Sequence, residues 1–417
     1  MPSRPKSTAF VAPASGNPIP VVDVISTSSA SERTSDRSIP FGRPIIGDEE
    51  REAVMKVLSG TTLTHGPQVQ QFEAAFADFT KAPHALATSS CTAALHLAYM
   101  FAQIGPGDEV IMPAQTHIAT AHAVELCGAR CVFIDSEPST GNLDLDQLEQ
   151  AITSRTKAIC VVHYLGLPVD MTRVMSIAQP HNLLVIEDCA LAIGATLDDI
   201  HVGLHGDVGC FSFYPVKHIT TAEGGMLITR REDLAAAASS QRAFGIDRNI
   251  VSDRPTPGEY DVTHLGNNYR MNEIGAAIGL VQMSRLPQFL ADRRANYEAL
   301  ATGLASIEEV RLLQSTHGRF RSSYYGLALM LSDRLISKRP QIMAHLKNRG
   351  VGFSVYYPRP VPHMSYYRRR YGFADSSFAV ASRLSAASIT LPVGPHLMRE
   401  DVKYIVASVK DAIAAVR

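Results

Sequence analysis

The sequence has almost no net charge: 39 Lys and Arg against 40 Asp and Glu leave −1. That balance gives no electrostatic footprint for nucleic acid or an anionic membrane surface. Cysteine is scarce, with six residues at 91, 127, 131, 160, 189 and 210. This is too few for a disulfide scaffold, and most lie in apolar runs. Buried, reduced thiols in a cytoplasmic protein are expected. There is no CxxC pair, and Cys127 with Cys131 lacks a second ligand pair. Structural zinc is therefore not expected, nor any other metal site. No apolar run approaches the roughly 20 residues of a membrane span. No hydrophobic segment follows Arg4 and Lys6, so no secretory leader is expected. No internal repeat is visible.

What remains is an ordinary globular balance, 46% hydrophobic and 19% charged over 417 residues. That length holds two or three domain-sized units. Residues 1–40 are rich in Ser, Pro and Thr without period, and read as a flexible tail. Helical periodicity begins at Asp48–Ser59 and Pro67–Phe79. Apolar strand candidates follow at Glu109–Met112, Cys131–Ile134, Ala158–His163, Leu183–Ile186, Gly209–Phe213 and Gly225–Thr229. Helix-period segments at Thr116–Leu126, Leu145–Ile152 and Thr172–Ala178 separate several of them. Strand alternating with helix predicts a mostly parallel sheet covered on both faces over 41–285. Beyond it, 286–417 reads as a smaller α+β domain, with helices at Arg293–Leu304, Arg339–Arg349 and Arg399–Val416 and a strand at Tyr324–Leu331.

In such sheets ligands bind beyond the carboxyl ends of the strands. Three features fall there. Glu187-Asp188 directly follows Leu183–Ile186, so a carboxylate faces the crevice; a capping Asp is the plainer alternative. Lys217 closes the apolar strand candidate that begins at Gly209 and precedes Gly224-Gly225; a snorkelling surface lysine is the alternative there. Ser89-Ser90-Cys91-Thr92 reads as a loop opening a helix, whose free N–H groups attract phosphate. An ordinary Ser cap would look the same. Together they suit pyridoxal 5′-phosphate (PLP). Lys217 would form the Schiff base and move the proton, Asp188 would hold the pyridine nitrogen protonated, and Ser212 could reach the phosphate.

These residues lie in longer motifs: Ser89-Ser90-Cys91-Thr92-Ala93-Ala94-Leu95-His96, Glu187-Asp188-Cys189-Ala190, Gly206 through Lys217, Glu223-Gly224-Gly225-Met226, Asn268-Tyr269-Arg270-Met271 and Val355-Tyr356-Tyr357-Pro358. From about residue 40 onward the chain resembles the DegT/DnrJ/StrS family of PLP-dependent sugar aminotransferases. That family belongs to the fold-type I, aspartate aminotransferase-like superfamily. The resemblance implies a three-layer α/β/α fold with a smaller C-terminal domain. It gives Lys217 as the Schiff-base lysine, Asp188 as the ring-nitrogen partner, and Ser90, Cys91, Thr92 and Ser212 at the phosphate. It also gives His117 the place of the aromatic ring stacked on the cofactor. It implies that Asn268 reaches the neighbouring subunit's cofactor, hence a homodimer with shared sites.

The activity so implied is transfer of an amino group from glutamate to a keto-sugar, usually nucleotide-linked. His117 and Leu191 depart from the family pattern, since Leu191 lacks the donor usual beside the cofactor's phenolic oxygen. Elimination, substitution or decarboxylation on an amino acid therefore stays open, as does transamination of a keto-cyclitol. A non-catalytic regulator would need a DNA-binding module, and the tail shows none. His163, Tyr324, Tyr325, Arg270 and His363 are weaker candidates for the cofactor pocket or substrate entrance.

Overall fold

The computed structural model describes residues 37–246 and 260–417. The expected tail lies outside the described residues up to 36. Ile39 is buried and bridges to Val351.

Among the described residues, nine strands precede residue 230: β1 His84–Thr88, β2 Glu109–Pro113, β3 Arg130–Ile134, β4 Thr156–Val162, β5 Leu184–Asp188, β6 Thr196–Leu197, β7 Ile200–His201, β8 Val208–Ser212 and β9 Gly225–Thr229. Seven form one sheet in the order β1-β9-β8-β5-β4-β2-β3. The pairs from β8 through β5, β4 and β2 to β3 are all parallel. Period-two alternation divides each strand between two cores. Leu184 and Ile186 of β5 join Cys160, Val110 and Leu95 on one face. Val185 joins Ile159, Val161 and Val174 on the other. Helices cover both faces: Cys91–Phe101 and Ile118–Leu126 on the first, Pro67–Thr80 and Met171–Ala178 on the second. This is the three-layer architecture expected.

Strand β9 runs antiparallel to both β8 and β1. The reversal positions the site. Ser212, the last residue of β8, pairs with Gly225, the first of β9, and Gly225 pairs with Thr88, the last of β1. The turn holding Lys217 and the loop Ser89–Ser90 therefore emerge at the same rim as the end of β5.

A second sheet is formed by β10 Val310–Leu312, β12 Leu327–Leu331 and β13 Ser388–Leu391, while β11 Phe320–Arg321 joins the β6–β7 hairpin. Helices Arg339–Asn348 and Arg399–Ala414 cover the second sheet through Ile342, Leu346, Ile405 and Val409. The expected boundary at 285 falls inside one 32-residue helix, Glu273–Leu304. Its first half buries Ala276, Met283 and Leu286 against the large sheet, and its second half buries Leu300 and Leu304 against the small one.

Three expectations need correction. Leu145–Ile152 holds only a 3-10 turn at Glu149–Ala151, because Asp144 accepts the Asp146 N–H and the Gln147 amide and bends the chain there. The strand expected at Tyr324 begins at Leu327, since Tyr324 has φ +51°. Lys217 does not close a strand; it lies in a turn five residues past Ser212.

Candidate active site

The acids that end β5 point to opposite faces, as neighbours in a strand must. Glu187 goes to the back and is fully buried. It accepts the N–H groups of Gly203, His205 and Gly206 at 2.7–2.9 Å and His163 Nε2 at 2.9 Å. His163 Nδ1 accepts the Val169 N–H, so Nε2 carries the proton. His163 is thus a structural residue. The imidazole and carboxylate that could ligate a metal beside Cys189 are already engaged.

Burial raises the Glu187 pKa, but the His163 contact and the amide donors outweigh it and hold the carboxyl below its ordinary 4.5. A depressed carboxyl stabilises the fold above the unfolded value, and this contribution is lost as pH falls through the folded pKa. A Glu187→Ala chain orphans four donors and is expected to lose at least about 4 kcal/mol of stability in urea unfolding, at about 1–3 kcal/mol per orphaned buried group. An unchanged midpoint would show that these bonds contribute nothing.

Asp188 goes to the front. Its Oδ2 accepts the Thr120 hydroxyl at 2.8 Å and its Oδ1 the Ala190 N–H at 3.1 Å. It opens onto a cavity of about 250 Å³. Ser90, Cys91, Thr92, His117, Ser212 and Lys217 line the same cavity. Seven of the eight sequence-predicted side chains thus meet in one space. The eighth, Asn268, is outside it in the single chain and bridges by backbone to Ala243.

The cavity floor fits a phosphate. Ser90 caps the helix Cys91–Phe101, its Oγ accepting the Ala93 N–H at 3.1 Å. The amides of Cys91 and Thr92 are the first two of that helix and have no carbonyl partner within it. They sit at the positive end of the helix dipole. Gly225 lies directly against them: a Cβ there would be 2.4 Å from the Ser90 carbonyl carbon and 2.5 Å from the Cys91 nitrogen. Only glycine lets β9 run so close to this cradle. A carboxylate at one end, a lysine beside it and an anion cradle at the other match the ring nitrogen, aldehyde and phosphate of PLP.

Lys217 has its Nζ 5.2 Å from the centre of the Tyr325 ring. Burial lowers its pKa from 10.5 to about 8, against an upward pull from Cys91 and Asp188. The neutral amine is the nucleophile. At pH 7.5 roughly a quarter of the amine would be neutral, against about 0.1% for an ordinary lysine. Capture of PLP by the cofactor-free protein is therefore expected to quicken about eightfold from pH 6.5 to 7.5 and to level above pH 9. Borohydride reduction at timed intervals measures it; a rate that still rises about eightfold from pH 9 to 10 would return the amine to its ordinary value.

His117 caps the helix Ile118–Leu126, its Nδ1 accepting the Ala119 N–H at 3.2 Å. Its ring meets Tyr357 edge-on at 5.8 Å. Burial, then the nearby Lys217, lowers its pKa, which favours the neutral imidazole. Leu191 also lines the cavity, so the wall beside it has no side-chain donor at that position. Tyr325 and Tyr356 share a hydroxyl hydrogen bond of 2.7 Å above Lys217. Tyr324, Arg270 and His363 do not line the cavity. The sequence reading assigned nothing to Thr116 or Thr120; Thr120 lies in the first turn of the helix Ile118–Leu126 and Thr116 just before its His117 cap.

Known proteins share this architecture. The sequence profile of the DegT/DnrJ/EryC1/StrS aminotransferase family matches residues 44–410. The spore coat polysaccharide biosynthesis protein SpsC of Bacillus subtilis (strain 168) is 34% identical over 379 residues, 90% of this chain and 97% of SpsC. Spr1654 of Streptococcus pneumoniae in its PMP form has a TM-score of 0.87 at 28% identity, over 91% of this chain and 100% of that one. A PLP form of Spr1654 scores 0.85. The sugar aminotransferase CalS13 of Micromonospora echinospora scores 0.82 at 31% identity, over 89% of this chain and 99% of CalS13. The cofactor is pyridoxal phosphate, and the chain belongs to the DegT/DnrJ/EryC1/StrS aminotransferase family.

Proposed function

We propose that this enzyme transfers the amino group of glutamate to a nucleotide-linked keto-sugar, with Lys217 and Asp188 as its catalytic residues. The carrying observation is that Lys217, Asp188 and the Ser90–Thr92 cradle face one cavity. Relatives named for polysaccharide biosynthesis and for sugar amination support a sugar acceptor. PLP, when bound, supplies an electron-withdrawing ring that stabilises negative charge on the amino-bearing carbon. Asp188 holds the proton on the ring nitrogen by accepting its hydrogen bond. The Cys91 and Thr92 amides, with the Thr92 and Ser212 hydroxyls, hold the phosphate. Lys217 would hold the cofactor through Nζ, and the same amine would take and return the proton at the reacting carbon. His117 covers one ring face and keeps water from it.

The same reading makes the enzyme a homodimer in which Asn268 reaches the partner's phosphate, in keeping with the prevalence of twofold assemblies. Six cysteines without a disulfide favour the cytoplasm. The test is mass spectrometry after offering glutamate and a panel of keto-sugars. An aminated nucleotide-sugar with equimolar 2-oxoglutarate is expected. Ammonia or carbon dioxide from an amino acid with no acceptor present would overturn it. Amination of a keto-inositol alone would replace the sugar by a free carbocycle.

A further inference from the structure

Two buried threonines stand behind Asp188 without touching the cavity. Thr116 and Thr120 are both fully buried. Thr120 Oγ1 lies 2.8 Å from Asp188 Oδ2, and Thr116 Oγ1 lies 2.7 Å from Thr120 Oγ1. A carboxylate only accepts, so the single hydroxyl proton of Thr120 goes to Asp188. The Thr120 oxygen must then accept from Thr116. The order of donors is fixed: Thr116 to Thr120 to Asp188. A helical threonine ordinarily turns its hydroxyl to the carbonyl one turn back; Thr120 turns to the carboxylate instead.

We propose that Thr116 and Thr120 form a two-hydroxyl relay that holds the Asp188 carboxylate in place, aimed at the cofactor's ring nitrogen. This rests on the reading of Asp188 as that nitrogen's partner. Thr120 O–H and the Ala190 N–H each anchor one carboxylate oxygen. The carboxyl plane is thereby fixed, and a lone pair remains for the ring N–H. Thr116 in turn holds the Thr120 hydroxyl in the one orientation that donates to Oδ2. Thr116 acts only through Thr120. Both are positioning residues.

The experiment compares the holoenzymes of wild type, Thr116→Val, Thr120→Val, Thr120→Ser and the double valine variant. It reads the PLP dissociation constant and the pH dependence of the bound cofactor's visible absorption. Thr120→Val is expected to weaken PLP at least tenfold and to move the absorption titration. Thr116→Val should weaken it about threefold, and Thr120→Ser should stay within threefold of wild type. The double variant should match Thr120→Val, because Thr116 has no second route to Asp188. A folded Thr120→Val with wild-type affinity and titration overturns the relay. If Thr120→Val does not fold, Thr116→Val decides: a titration moved in it supports the relay, and an unmoved one overturns it. Borohydride trapping on wild type separates the premise. Label absent from Lys217 defeats the cofactor reading itself, whereas label on Lys217 with indifferent threonine variants defeats only this proposal.

Discussion

Lys217→Ala is expected to reduce transamination by about 10³-fold or more, on the order of 4 kcal/mol of transition-state stabilisation. The variant loses the only amine that lines the cavity among the described residues, and with it both the covalent hold on PLP and the base. The phosphate cradle is untouched, so PLP should still bind reversibly. After borohydride reduction, peptide mass spectrometry should find the cofactor label at position 217 in wild type and nowhere in the variant. Label retained in the variant, or activity within tenfold of wild type, would remove Lys217 from the mechanism.

Asp188→Asn should follow with a fall in kcat/KM of about 10²- to 10⁴-fold, the range given by the roughly 3–5 kcal/mol lost when a buried charged partner is neutralised. The amide keeps the size of the side chain, and its oxygen can still take the Thr120 hydroxyl. What it loses is the negative charge that keeps a proton on the ring nitrogen. Borohydride trapping at Lys217 should survive, and that separates a chemical defect from failure to bind the cofactor. An Asn variant within tenfold of wild type would make Asp188 a structural acid like its neighbour Glu187.

The central strands were legible because burial on both faces makes them continuous apolar runs. β1, His84–Thr88, escaped notice: its small residues carry little β signal, and only its partner β9 makes it a strand. The helix Glu273–Leu304 was legible only in its last third, since Gly275, Gly279 and Pro287 break the pattern before it. Lys217 and Asp188 stood out as charges at the ends of apolar segments. Strand alternation puts two adjacent acids on opposite faces, but it was the family resemblance that singled out Asp188 as the one at the ligand. Thr120 did not stand out, because its meaning is a hydrogen bond to a residue 68 positions away. Spacing along the chain brings Thr116 and Thr120 near one another at a helix start, but does not say what they meet. Packing of the helix Ile118–Leu126, through Ala121 and Val124, on the face of the sheet that holds Ile186 decides that.

The helix Glu273–Leu304 has a consequence for how the molecule can be divided. A single rod carries side chains that complete the cores of both lobes, and residues 37–246 and 260–417 belong to one compact unit. A scissor cut at 285 would leave each fragment with a stump of helix and an uncovered oily face. The two lobes are therefore parts of a drawing and not spare parts: neither is a module that evolution or an engineer could lift out and graft elsewhere intact.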